Sequence, residues 1–389
     1  PYIDEITVDI VQSPEVAKLQ VQQGKIDYCH GPAVQIDLAD VSTLQKSKEQ
    51  AGTEIRLWDS GSGTGSMFFL NYDYPDEKYR TLFRDVRFRR ALSYAFDRAA
   101  VHKSLYYQTG EMTTGTVGPK CTEFHVGDGK GIYARWRDSY IKHDIAKAKQ
   151  LLADLGLKDA DGDGYLEFPD GRKLTIYIDY SADISTTEAA KDDQLVGDAK
   201  QVGIRMVRRS VPPLSYEEQW DSGQLMAHTN FEFSEAGSIL TSPRPLVPLD
   251  NALWAPLEGA FYEVVGTPKE HTERDVDPWK RHPPRLEPEP DGPIAAMWRL
   301  YNKTKVESDV MERTRLTWEI MKVHIEQGPF FMGCVANFPR VTVVKSDLKN
   351  VPARQNLALD GLNGPGKFPC PASYDPECFY WEDPSAHQG

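Results

Sequence analysis

The chain has 389 residues, 40% hydrophobic and 26% charged, which are globular values for a protein too long for one ordinary core. Its 45 basic and 58 acidic side chains give a net charge of −13 with no basic cluster, which argues against nucleic acid as a partner. No run of roughly 20 apolar residues could span a membrane, and the opening PYIDEITVDI lacks the basic head and apolar middle of a signal peptide. The protein is therefore either cytosolic or had its targeting segment removed.

In chain order, residues 3–11 alternate as a strand, Pro14 to Gln23 reads as a short helix closed by Gly24, and 26–28 as a second strand. Residues 54–58 (EIRLW) predict a strand that runs through the glycine-rich DSGSGTGS into another strand, MFFLN, at 67–71. Gly61 to Gly65 imitates a phosphate-cradling loop, but no Lys-Ser/Thr follows and the next residues read as a strand, so the segment predicts a flexible strand-to-strand crossing. Asp85 then caps VRFRRALSYAFDRAAV, where Phe88, Leu92, Ala95, Phe96 and Ala99 share one helical face. A second helix starts near Asp144, with Ile145, Ala148, Leu152 and Leu155 on a face and Gly156 as its stop.

Beyond it lies KDADGDGYLEFPDG (158–171), with acidic residues at alternate positions. LTIYIDY (174–180) alternates as a strand, a helix carries Leu195, Ala199 and Val202, and IRMV (204–207) and LMAHT (225–229) predict further strands. Residues 242–256 contain four prolines and 268–293 seven, so both read as loops. Asp309 caps a last helix ending at Gly328-Pro329, and FFMGCV (330–335) reads as a buried strand. Alternating strands and helices make the class α/β.

Catalytic patterns are missing. The nine histidines are dispersed without an H-E-x-x-H pair, no G-x-S-x-G elbow occurs, and no cysteine has an obvious histidine partner. Cys29, Cys121, Cys334, Cys370 and Cys378 contain no C-x-x-C; Cys370 and Cys378 bracket a turn that could close as a disulfide or stay as thiols. An α/β hydrolase remains an alternative without an assembled site.

The acidic loop has its own chemistry. Asp159, Asp161 and Asp163 would fill positions 1, 3 and 5 of a calcium loop, with Gly164 turning it, the Tyr165 carbonyl at position 7 and Asp170 at position 12. An EF-hand has a second helix and a closing glutamate, whereas here a strand follows and an aspartate closes. A metal-free acidic turn fits the same residues. A calcium-dependent adhesion or matrix module would rest on this loop alone.

Asp85, Arg87, Arg89 or Arg90, Ala91, Leu92, Ala95, Asp97 and Arg98 match an Asp-x-Arg-x-Arg-x-Ala-Leu-x-x-Ala-x-Asp-Arg helix. With MFFLN upstream, DIAKAKQLLADLGLKDADGDG downstream, and Tyr2, Asp4, Ile6, Gly24, Ile26 and Asp27 at the start, the chain resembles the extracellular solute-binding proteins of the oligopeptide/dipeptide/nickel class that serve bacterial ABC importers. The resemblance implies a two-lobed, type II periplasmic-binding-protein-like fold of mixed sheets flanked by helices. It also implies capture of an oligopeptide-like solute by hinge closure and docking on a membrane permease. An oligosaccharide or nickel complex is the alternative cargo.

The family's long N-terminal part, with its secretion or lipoprotein signal, has no counterpart here, so the chain reads as a C-terminal portion: 1–65 a partial first lobe with exposed apolar surface, 66–330 the second lobe, and 331–389 the return to the first. The implied location is extracytoplasmic, in the periplasm or on the outer face of a bacterial membrane. The implied protein is a monomer that requires no cofactor, and a structural Ca2+ rests on the spacing of the acidic loop alone. The crossing at Gly65-Ser66 and NFEFSEAG (230–237), at a strand's C-terminal edge, are the expected ligand contacts. Glu232 or Glu235 would receive a peptide ammonium, and Phe231, Phe233 or Trp254 would stack on side chains or sugar faces.

Overall fold

The computed structural model describes residues 2–11, 13–181, 186–230, 232–233, 237–353 and 379–387. Among them the strands in chain order are β1 (Tyr28–His30), β2 (Thr53–Asp59), β3 (Met67–Leu70), β4 (Glu111–Met112), β5 (Thr175–Ser181), β6 (Arg205–Val211), β7 (Ala227–Asn230), β8 (Val335–Ala336), β9 (Pro339–Lys345), β10 (Leu348–Lys349) and β11 (Tyr380–Trp381). A three-stranded sheet is ordered β1-β9-β2 and a four-stranded sheet β3-β7-β5-β6, with the small pairs β4-β8 and β10-β11. The first is antiparallel throughout; in the second, β5 runs parallel to β6 and β7 while β3 is antiparallel to β7. Parallel neighbours need a crossover, and helices Thr186–Gln201 and Pro213–Asp221 supply the two required.

The four-stranded sheet is wrapped by helices into a core running from Met67 to Val335. The three-stranded sheet has separate apolar groups on its two faces. Val341 and Val343 pack with Val21, Cys29, Ile36 and Leu44, whereas Val344 packs with Trp58, Leu348, Val351 and Phe379. The alternation of β9 divides these faces, because successive side chains in a strand point to opposite sides. Core membership changes between Trp58 and Met67 and again between Val335 and Val341, where the chain passes from one sheet to the other.

Asp85 caps helix Val86–Ala95 by accepting the Arg87 N–H at 2.8 Å. The expected run to Val101 is instead broken at Phe96-Asp97. Asp97 caps a second helix, Arg98–Ser104, by accepting the Ala100 N–H at 3.0 Å. Buried Arg98 explains the break: its guanidinium reaches the carbonyls of Ser93, Thr113 and Gly333. A guanidinium removed from water needs those acceptors, and satisfying it outweighs helix propensity. Replacing the first cap, Asp85→Ala, should lower stability by about 1 kcal/mol, read as a lower urea midpoint at unchanged slope.

Three further expectations change. Residues 3–11 form no strand; Ile6, Val8 and Ile10 are 69%, 80% and 95% exposed, and no described strand pairs with them. Alternation creates an apolar face, but a strand also needs a hydrogen-bonding neighbour. FFMGCV is mostly an extended crossing, with a bridge from Met332 to Phe68 and a strand only at β8. In the proline-rich stretches, Pro256 and Pro293 begin helices Pro256–Val264 and Pro293–Thr304. Proline suits a first helical turn, where its missing N–H would have had no partner. Cys29, Cys121 and Cys334 are buried, and burial pushes the Cys29 thiol up to about 11. The pair Cys370 and Cys378 lies outside the described residues.

Candidate functional site

The chain crosses between the sheets twice, at 60–66 and at 333–338, and the two crossings are bonded to each other. The N–H groups of Ser60, Cys334 and Asn337 donate to the carbonyls of Phe338, Thr64 and Ser62, at 3.1, 2.8 and 2.8 Å. Ser60, Ser62 and Thr64 are buried, and the Ser62 hydroxyl accepts the Thr64 and Gly65 N–H groups at 3.2 and 2.9 Å. The crossing is thus a packed spine and not the flexible loop its glycines suggested. The glycines serve close approach: a Cβ on Gly63 would fall 2.1 Å from the Val117 carbonyl oxygen, and one on Gly65 (φ +60°) 2.7 Å from that of Val335.

Beside this spine lies a polar face of the three-stranded sheet. Arg340 and Thr342 of β9 point the same way, and His30 of β1 sits directly opposite Thr342. Glu232, just past the end of β7, pairs with Arg340 and so joins the polar ends of the two sheets. Burial, then the Arg340 charge, lowers His30 to about 3, so it is neutral at ordinary pH. Both His30 ring nitrogens, Thr342 Oγ1, Glu232 Oε2 and Ser66 Oγ are buried without a hydrogen-bond partner among the described residues. Buried polar atoms are normally satisfied, and the unsatisfied ones on His30, Thr342 and Glu232 belong to the strands and strand end that carry one ion pair.

The expected contact residues divide accordingly. Glu232 pairs with Arg340 in this polar group, Ser66 lies at the end of the crossing with its N–H donating to the Tyr106 hydroxyl at 3.2 Å, and Gly65 is enclosed in the spine. Phe231 and Glu235 lie outside the described residues. Phe233 and Trp254 correct the expectation of ligand stacking, because both rings are taken up by the core. Phe233 is 7% exposed and meets Phe331 edge-on at 5.0 Å; Trp254 is 1% exposed and stacks on Phe330 at 4.7 Å. Aromatic burial of that extent outweighs any gain from leaving a ring free.

Sequence reasoning missed His30, Arg340 and Thr342, although the alternation of PRVTVVK already places Arg340 and Thr342 on one face. It also missed Lys191, whose ammonium is 1% exposed. That group contacts Asp192 at 2.6 Å and Thr229 Oγ1 at 2.7 Å, on the strand that leads to Glu232.

The acidic loop is remote in sequence from this site, between helix Ile145–Ala153 and β5. Oxygens of Asp159, Asp161, Asp163 and Glu167 lie within 4.8 Å of one another. Asp170 is not in that cluster but pairs with Lys78, so Glu167 takes the place the spacing had given to Asp170. The Tyr165 N–H donates to Asp163 Oδ1 at 2.9 Å, within the turn.

Comparison with known proteins gives this arrangement a context. The family described as bacterial extracellular solute-binding proteins, family 5 Middle, matches residues 1–238. The periplasmic alpha-galactoside-binding protein of Rhizobium meliloti is 29% identical over 210 residues, 51% of this chain and 27% of that protein. The oligopeptide-binding protein AppA of Bacillus subtilis is 27% identical over 179 residues, 46% of this chain and 28% of that protein. Among solved structures, oligopeptide-binding protein OppA superposes with a TM-score of 0.70 at 22% identity, over 96% of this chain and 56% of that one. The periplasmic binding protein MelB of Agrobacterium fabrum, in complex with stachyose, gives 0.66 at 21% identity, over 95% and 50%. The chain thus spans about half the length of these solved structures. The fold is the type II periplasmic-binding-protein fold, and the chain belongs to family 5 of the bacterial extracellular solute-binding proteins.

Proposed function

We propose that this chain is a portion of the solute-binding component of an ABC importer, capturing an oligopeptide-like ligand between two lobes and delivering it to a membrane permease. The observation that supports it is the set of unsatisfied buried polar atoms on Glu232, His30 and Thr342 around the Glu232–Arg340 pair, beside a doubled crossing. In this reading the lobes are 1–65 with 331–389, and 66–330, and they close about that crossing by hinge motion. The protein works outside the cytoplasm, as a monomer, by binding and without chemistry on its cargo. Arg340 holds one Glu232 oxygen and leaves Oε2 for a ligand donor, which suits the ammonium group of a peptide. Names of relatives support a second cargo, an oligosaccharide of the α-galactoside kind.

Thermal-shift titration of the 389-residue chain separates these. A peptide at about 100 times its dissociation constant stabilises by about 2.7 kcal/mol, a rise of roughly 5 °C in melting temperature. Glu232→Gln should weaken a free-amine peptide by about tenfold, or 1.4 kcal/mol, and leave its N-acetylated form unchanged. A shift with raffinose or stachyose and none with peptides would replace the peptide reading by the saccharide one. Hydrolysis of a peptide or ester panel by the purified chain would instead favour the α/β hydrolase.

A further inference from the structure

We propose that the turn after helix Ile145–Ala153 binds one calcium ion through Asp159, Asp161, Asp163 and the buried Glu167, with the Tyr165 main-chain carbonyl as a further oxygen. The site is separate from solute capture and does not depend on it.

Four carboxylates converge there, with oxygens mutually within 4.8 Å. Spacing alone would make this an ordinary acidic turn, and Glu167 is what distinguishes it. Its side chain is 97% buried, at 3% exposure; Oε2 accepts the Ala160 N–H at 2.7 Å, and Oε1 has no hydrogen-bond partner among the described residues. A carboxylate oxygen removed from water and left unpaired is costly unless a cation takes it. Its backbone is fixed, because Glu167 and Lys158 exchange N–H···O bonds at 2.8 and 3.3 Å. The carboxylate is therefore held against the loop by its own backbone pairing.

The charges also fall short. Lys173 Nζ touches Asp161 and Asp163 at 2.9 and 2.7 Å, and Arg205 reaches Asp163 at 3.1 Å. Against four carboxylates these two cations leave two negative charges, nearest Asp159 and Glu167. Lys173 is half exposed on a flexible stem and can swing to water when a divalent ion enters. Calcium takes six to eight hard oxygens in flexible geometry, which suits three exposed aspartates, one fixed glutamate and water. Magnesium demands a tighter octahedron and suits the loop poorly. Counting Asp159 as position 1, Glu167 is position 9, so the closing ligand comes from inside the loop and not from position 12.

Titration of the chelator-treated 389-residue chain with calcium chloride, followed by calorimetry, tests this. The expected result is one site per chain, with a dissociation constant on the order of 10⁻⁴ M or tighter and magnesium far weaker. Glu167→Gln should weaken binding at least roughly tenfold, Lys173→Met should tighten it severalfold, and Asp170→Asn should leave it unchanged. If Glu167→Gln does not fold, Asp161→Asn, an exposed ligand, carries the same expectation. No saturable heat up to about 5 mM calcium would overturn the site, and so would loss of binding in Asp170→Asn with retention in Glu167→Gln.

Discussion

Replacing Arg84 with methionine is expected to lower stability by about 3 kcal/mol, read as a drop in urea midpoint. Arg84 is one cation shared by two buried carboxylates, Asp73 at 2.9 Å and Glu258 at 3.1 Å. The other Asp73 oxygen accepts the N–H groups of Leu257 and Glu258, at 2.8 and 3.1 Å, so it caps helix Pro256–Val264 from a distant part of the chain. Losing the guanidinium strands two acids that are 0% and 1% exposed. The figure stays at the lower end of what breaking a buried ion pair costs, since Glu258 can take up a proton instead.

Burial, and next the charge of Asp73, already raises Glu258 to about 8 against an ordinary value near 4.5. Between those values the folded chain holds more protons on this group than the unfolded chain, so its contribution to stability falls as pH rises through the window. The melting temperature should therefore decline from pH 5 to 8 more steeply in the unmodified chain than in Glu258→Gln. Equal slopes would show that burial of Glu258 does not govern the pH response.

The second large effect is expected at the crossing. Gly63→Ala would push a Cβ to 2.1 Å from the Val117 carbonyl oxygen and 2.3 Å from that of Thr116. Both are backbone atoms and cannot move aside alone. Gly63 itself donates to the Phe233 carbonyl at 2.6 Å and accepts from the Thr116 N–H at 2.9 Å, so any shift breaks a bonded layer. A loss on the order of 3 kcal/mol is expected, the upper range for overpacking. Gly131→Ala is the matched control: in helix Gly129–Arg137 its Cβ would meet nothing within 4 Å. That change should stabilise by about 0.5–1 kcal/mol. Equal melting temperatures for the two variants would remove the packed-spine account.

Local signals were legible in the sequence. Asp85 and Asp309 cap helices as expected, and Asp144 caps the helix expected to start near it, each accepting a first-turn N–H. Strands near 54–58, 67–71, 174–180 and 204–207 form close to their expected bounds, because apolar alternation and flanking glycines act within a few residues. The helix motif around Asp85 also carried the family resemblance. What the sequence could not decide were matters of partnership. Whether Ile6, Val8 and Ile10 would find a neighbouring strand, where Arg98 would find acceptors, and whether Phe233 and Trp254 would face a ligand or the core depend on residues far along the chain. The same holds for the two candidate sites. Arg340 meets Glu232, and Glu167 displaces Asp170 from the acidic cluster, through contacts that exist only once the sheets and turns are in place. Spacing along the chain fixes local backbone geometry, but burial and charge pairing are set by tertiary packing.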